Sequence, residues 1–175
     1  MARISVVLAG VLVFASWSLT SAPGDGQEDR RARQYTVSPI GFVRTAGTKT
    51  TIVLEKQYEP GLLGLEGYSH INVYWWFDRN DTPERRATLQ VHPNPPGNMA
   101  HPLTGVFATR SPLRPNLIGA TVCRLIAVKA NVIEIAAIDA FPDTPVLDIK
   151  GHVPRLDGVS NATVPWWIGR SQGGR

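Results

Sequence analysis

The segment with the densest chemical potential is Gly105 to Gly119, reading G-V-F-A-T-R-S-P-L-R-P-N-L-I-G. Arg110 and Arg114 stand four apart around Ser111-Pro112, and Pro115-Asn116 come next. Proline fixes φ and removes a backbone donor, so Pro112 and Pro115 make this a stiff loop and not a helix. A stiff loop holding two guanidiniums pre-organises forked donors for a carboxylate, a phosphate or the edge of a base. The same arginines could instead brace a turn, and residue types alone leave both readings open.

A second cluster is I-D-A-F-P-D-T-P-V-L-D-I-K, Ile138 to Lys150, where Asp139, Asp143 and Asp148 alternate with proline and apolar residues. Such carboxylates are expected along one rim of the fold, where they could accept ribose hydroxyls or an amino group; ordinary turn and ion-pair use is the commoner role. The third is G-L-E-G-Y-S-H, Gly64 to His70. Glu66 and His70 could form an acid–base pair, but a lone histidine entering a buried strand is more often a satisfied core residue. His70, His92, His101 and His152 lack the spacing or companions of a metal site. There is no G-x-S-x-G elbow, no P-loop and no Rossmann fingerprint. Cys123 sits in an apolar run, as a small buried hydrophobe would.

The elements that must position these residues read as β-rich. Expected strands are Tyr35–Thr45, Thr50–Glu55, Tyr68–Phe77, Ala87–Val91, Gly105–Thr109, Ile118–Val128, Val132–Ile138 and Val146–Lys150, all short and separated by Gly, Pro or polar residues. The intensely apolar and aromatic run Tyr68–Phe77 reads as a central strand covered on both faces. Lys129-Ala130-Asn131 has the size of a tight hairpin connection, and Gln57–Leu65 is the one candidate for a short helical turn. Many short strands without a sustained 3.6-residue period predict an all-β fold, a closed barrel or a sandwich.

The chain has 175 residues, a formal charge of +4, 18% charged residues and one cysteine. That length suits one domain with tails. One cysteine excludes a disulfide framework. The charge is too mild for a dedicated nucleic-acid binder, yet compatible with one positively lined site. At the start, Arg3 precedes an apolar run from Ile4 to Trp17, then Thr20-Ser21-Ala22. This is the pattern of a secretory signal peptide, with an uncleaved anchor or a misassigned start as alternatives. The expected organisation is therefore a signal peptide or anchor over 1–22, a polar linker over 23–34, a domain over 35–157 and a loop-like tail over 158–175 whose Trp166-Trp167 fold back onto the barrel. Export to the periplasm or outside the cell follows if the leader is real, and a cytoplasmic location if the start is misassigned.

The order P-I-G-F-V-R, L-G-L-E-G-Y-S-H-I, G-V-F-A-T-R-S-P-L-R-P-N-L-I-G and T-P-V-L-D-I-K resembles the TsaA-like family, whose best-understood members are the TrmO-type tRNA methyltransferases. The resemblance runs from Tyr35 to about Asp157, and A-T-R-S-P-x-R-P-N is its most specific motif. It implies a single β-barrel, usually homodimeric, that binds S-adenosyl-L-methionine (SAM) and methylates N6 of threonylcarbamoyladenosine beside the tRNA anticodon. It also implies cofactor contacts at Arg110, Ala120 and the stretch Asp139, Ala140, Phe141 and Pro142, with Arg114 and Asn116 shaping the same pocket. Asp139 and Asp148 are the acids that could orient or take the proton on the attacking nitrogen. The chain departs from the pattern in several places, among them Leu117, where R-P-N-L-I-G stands for R-P-N-P-I-G. The first-strand connection, Thr45-Ala46-Gly47-Thr48-Lys49, is short where the family carries a longer P-R-Q-like loop. Asp78-Arg79 stands where the family tends to have His-Gln, and Pro142-Asp143-Thr144-Pro145 where it has D-G-T-P. With a leader for export, the alternative function is a repurposed or non-catalytic barrel binding another small anionic or nucleoside-like ligand.

Overall fold

The computed structural model describes residues 34–93 and 102–168, so the expected leader over 1–22 and most of the expected linker over 23–34 lie outside the described residues. Everything below concerns the described residues of the unit that begins at Val37. Its body is a closed six-stranded antiparallel barrel. The wall strands are β1 (Gly41–Ala46), β2 (Lys49–Leu54), β3 (His70–Trp76), β6 (Ile118–Lys129), β7 (Val132–Ile135) and β8 (Pro145–Gly151). They follow one another around the barrel as β1-β2-β7-β6-β3-β8. A separate two-stranded ribbon pairs β4 (Gln90–Val91) with β5 (Thr104–Gly105).

Alternation builds the core. Val43, Ile52 and Leu54, Ile71, Val73 and Trp75, Cys123, Ile133 and Ile135, and Val146 point inward from the six wall strands and are buried. Closure removes every sheet edge from the wall. Trp75 is the largest plug. Its indole N–H donates to Thr121 Oγ1 at 3.1 Å, and its ring meets Phe77 edge-on with centroids 4.4 Å apart. Gly119, opposite Trp75 on β6, leaves room for that ring: a Cβ there would lie 2.5 Å from Trp75 Cε2.

Several expectations shift in detail. β3 is covered on one face, not two, because His70 is exposed and Asn72, Tyr74 and Trp76 are only half-buried. Tyr74 and Trp76 tolerate that outer face because each pairs an apolar body with a polar tip; Trp76 Nε1–H reaches Asp81 Oδ2 at 3.1 Å. Ala87–Val91 and Gly105–Thr109 are not strands over most of their length. Ala87 ends a short helix, α1 (Pro83–Ala87), and Val106–Ala108 is a 3-10 turn. The sequence carried the helix signal: Thr82 caps it by accepting from Arg85 N–H at 3.3 Å, and Pro83 occupies the first turn. The run Gln57–Leu65 forms a 3-10 turn over Lys56–Leu62, and Ala130-Asn131 make the tight β6–β7 turn with Ala130 at φ 52°. A last helix, α2 (Pro154–Asp157), follows β8. Beyond it Trp167 is half-buried while Trp166 is 59% exposed, so the two tail indoles do not pack alike.

Candidate functional site

Strand directions decide which loops meet. With neighbours antiparallel all round, one rim collects the β1–β2 turn, the ends of β3 and β7, and the starts of β6 and β8. That rim therefore carries the arginine loop before β6, the stretch between β7 and β8 that holds Asp139–Pro142, and the turn after β3. Glu66 precedes β3 and His70 opens it, so both fall on the opposite rim. His70 Nδ1 lies 3.0 Å from Ser69 Oγ, and no hydrogen bond joins it to Glu66, so the acid–base pair does not form.

The arginine loop is a braced structure. Arg114 is half-buried and donates to three backbone carbonyls, Ser111 O at 2.8 Å, Thr109 O at 2.8 Å and Val106 O at 3.2 Å. Ser111 Oγ and Thr109 Oγ1 close smaller turns beside it by accepting from Leu113 N–H and Ser111 N–H. Leu117, fully buried, pins the loop to the barrel, and its carbonyl accepts from Phe77 N–H at 2.8 Å. Arg86 of α1 adds a clamp that sequence reasoning missed. It grips Asp81 through Nε at 2.7 Å and Nη2 at 2.9 Å, and reaches Pro115 O at 3.2 Å. The guanidinium and the Trp76 indole N–H together hold the Asp81 carboxyl below its usual range.

Arg110 behaves differently. It is exposed and makes one contact, Nη1 to Ala120 O on β6 at 2.9 Å. Its remaining guanidinium nitrogens make no hydrogen bond among the described residues. Arg110 and Ala120, singled out separately in the sequence, are thus joined directly. Asn116 is exposed, and only its carbonyl is engaged, by Ile118 N–H at 2.8 Å.

Across the rim, Asp139, Phe141 and Pro142 are exposed and Ala140 is half-buried. Asp139 makes no side-chain hydrogen bond or ion pair among the described residues. Asp148 is otherwise placed: within β8 beside Tyr74, it pairs with Lys150 at 2.5 Å and accepts from Ile149 N–H at 2.9 Å. Asp143 occupies a left-handed turn at φ 70° and pairs with Arg44. Aspartate is one of the few residues besides glycine that enters this region readily, so the turn forms without a glycine. Buried Thr144 closes it, with its N–H on Phe141 O at 3.2 Å and its carbonyl accepting from Val43 N–H at 3.0 Å. The β1–β2 connection is a two-residue turn at Gly47-Thr48, with Ala46 paired to Lys49 and Gly47 at φ 59°. No loop rises from that side of the rim.

Among the described residues, no group of three or more His, Cys, Asp or Glu is arranged to hold a metal ion. Cys123 is buried, which pushes its thiol up to about 11 and makes it a poor nucleophile.

Comparison with known proteins matches residues 33–158 to the model of the tRNA-methyltransferase O N-terminal domain. A probable S-adenosyl-L-methionine-binding protein of Methanocaldococcus jannaschii is 42% identical over 123 residues, which are 70% of this chain and 96% of that protein. The human tRNA (adenine(37)-N6)-methyltransferase is 38% identical over 107 residues, covering 61% of this chain and 23% of the human one. Among solved structures, TrmO from Pseudomonas aeruginosa superposes with a TM-score of 0.58 at 30% identity, covering 75% of this chain and 61% of that one. A further TrmO crystal structure gives a TM-score of 0.59 at 32% identity, covering 75% and 63%. The chain thus spans nearly all of the archaeal relative but under two thirds of the solved TrmO chains.

Proposed function

The chain belongs to the tRNA-methyltransferase O N-terminal domain family, and from that premise we propose that it binds SAM on the described rim and methylates N6 of an adenosine in tRNA. One observation carries the reading: the barrel topology gathers the Arg110–Asn116 loop and the Asp139–Pro142 stretch, far apart in sequence, onto one rim. The donor set suits the cofactor. Among the described residues Arg110 keeps free guanidinium nitrogens and Asp139 an unpaired carboxylate, and Phe141 offers an exposed ring. When bound, SAM supplies a methyl group already activated by a sulfonium centre, so the protein's task is alignment of nucleophile and methyl.

Within that task Arg110 and the backbone at Ala120 position the ligand, and Arg114 and Asn116 keep the loop in shape. Asp139 Oδ is the better group to accept the proton leaving N6. Asp148 is already committed to Lys150 and to Ile149 N–H. A second copy of the chain fits the outer face of β6, where Ile118, Val122 and Ile126 are 41%, 54% and 54% exposed. Light scattering of Val122→Asp against the parent checks that dimer: an unchanged mass excludes this face.

Calorimetry tests the central claim. Binding of SAM that is lost in Arg110→Ala at unchanged melting temperature supports it; no binding by the parent at millimolar ligand removes it. The leader-like segment over 1–22 favours a second reading, an exported barrel holding another small anionic or nucleoside-like ligand. A reporter fused after Arg33 that is active only outside the cytoplasm selects that reading and excludes tRNA as substrate.

A further inference from the structure

Six arginines stand on or beside this rim, and five are engaged. Arg44 pairs with Asp143, Arg85 with Asn80, and Arg86 with Asp81; Arg110 bonds Ala120 O, and Arg114 bonds three carbonyls. Arg79 is the exception. It leaves the end of β3 in a 3-10 turn over Asp78–Asn80 and is exposed. Its guanidinium makes no hydrogen bond or ion pair among the described residues, although acidic Asp78 and Asp139 lie on the same rim. Its one contact is the Phe141 ring, with Cζ 4.1 Å from the centroid. Phe141 is itself 61% exposed and sits in the stretch between β7 and β8.

A guanidinium whose central carbon lies over a ring face still carries its N–H donors at its edges, where they can reach a ligand. Those donors are arranged as a fork that fits a planar carboxylate with two parallel hydrogen bonds. The ring also limits the rotamers of a long side chain, so less freedom is lost when the fork closes on a ligand. An unneutralised, ring-held guanidinium on a ligand-binding rim is therefore built for an anion.

We propose that Arg79, held against Phe141, is the anchor for the amino-acid carboxylate of SAM and makes the site discriminate for that group. The inference rests on the cofactor reading above and assigns Arg79 a role in specificity rather than in methyl transfer. RNA phosphate offers the same charge, but the ring-bearing stretch is the one assigned to the cofactor, which places the fork at the small ligand.

The test uses the full chain and two ligands, SAM and its decarboxylated form, which differ only in the carboxylate. Calorimetry on the parent is expected to show SAM bound about ten- to a hundredfold tighter, the range for one charge-assisted pair. Arg79→Gln should bring SAM down to the affinity of the decarboxylated ligand and leave the latter unchanged. Phe141→Leu should lose part of the preference. A thermal melt serves as the fold control, and exposed Arg79 should leave it unmoved. Equal affinities in the parent, or an equal loss for both ligands in Arg79→Gln, overturns the proposal while the cofactor reading stands. An Arg79→Gln variant with intact SAM binding and a raised KM for tRNA alone also overturns it, moving the guanidinium to the RNA backbone. A parent that binds neither ligand refutes both readings.

Discussion

Replacing Arg114 separates a brace from a ligand contact. Its guanidinium bonds Ser111 O, Thr109 O and Val106 O. Val106 O also accepts from Thr109 N–H at 3.1 Å and Thr109 Oγ1–H at 2.9 Å, so it stays satisfied without Arg114. Two carbonyls then lose their donor in Arg114→Gln. At about 0.5–1.5 kcal/mol per net hydrogen bond, the expected cost is about 1–3 kcal/mol. For a domain near this size, each kcal/mol moves the melting temperature by about 4 °C, so a drop of about 4–12 °C should appear in a thermal melt. Arg114→Lys should recover little, because a point-like ammonium cannot span three carbonyls that a fork reaches. SAM affinity should fall in proportion to the loosening of the loop, and more steeply as temperature rises toward the melt. An Arg114→Gln variant with an unchanged melt and abolished binding would refute the brace and make Arg114 a direct contact.

Other outcomes follow from the same geometry. Gly119→Ala drives a methyl into the Trp75 ring at 2.5 Å and should destabilise by about 1–3 kcal/mol, read as a lower denaturant midpoint; an unaltered midpoint would show that the indole is not fixed there. Because the folded pKa of Cys123 is raised from 9.0 to about 11, its contribution is complete below the unfolded value and is lost as pH climbs from about 9 to 11. Cys123→Ala should remove that alkaline slope, and iodoacetamide at neutral pH should label the thiol only as fast as the barrel opens. The Asp81 carboxyl is lowered, first by Arg86 and then by Trp76, so its support is present above pH 4 and lost on acidification through the lowered value. Asp81→Asn should flatten the acid limb of stability against pH, and an unaffected limb would deny the clamp its role. Asp143→Val should cost about 1–2 kcal/mol because a β-branched residue resists φ near 70°, whereas Asp143→Gly should cost less; equal melts for the two would remove the backbone argument.

The barrel was legible because alternation runs through β1, β2, β3 and β7, while bulges at Ile126 of β6 and Leu147 of β8 shift it by one residue: Val43, Ile71, Val73, Ile133 and Val146 sit at inward positions that the strand spans already imply. The misread segments have physical causes. Tyr74 and Trp76 count as apolar in a linear scan, but their polar tips let them face outward. Residues 83–87 form only five residues of helix, too few to build an apolar period, and Thr82-Pro83 was the only available sign. The arginine loop could be recognised as stiff from its prolines. Which arginine braces and which stays free could not be read there, because the deciding partners are backbone carbonyls that carry no signature in sequence. Arg79 shows the limit most clearly, since its partner Phe141 lies 62 residues away.

The two-residue β1–β2 turn and Arg79, unpaired among the described residues, bear on one question, how much of a ligand this rim can hold. The β1–β2 connection is only the two residues Gly47-Thr48, between the paired Ala46 and Lys49. Contacts that a longer loop would offer must then come from the opposite side of the same rim. The turn after β3 supplies a cation there, held against a ring from the β7–β8 stretch. If that pairing supplies what a longer loop would, lengthening the β1–β2 turn should raise SAM affinity less in the parent than in Arg79→Gln. A double-mutant cycle read by calorimetry checks this, since contacts to one ligand that substitute for each other are non-additive. Strict additivity would show that the two sides of the rim act on the ligand independently.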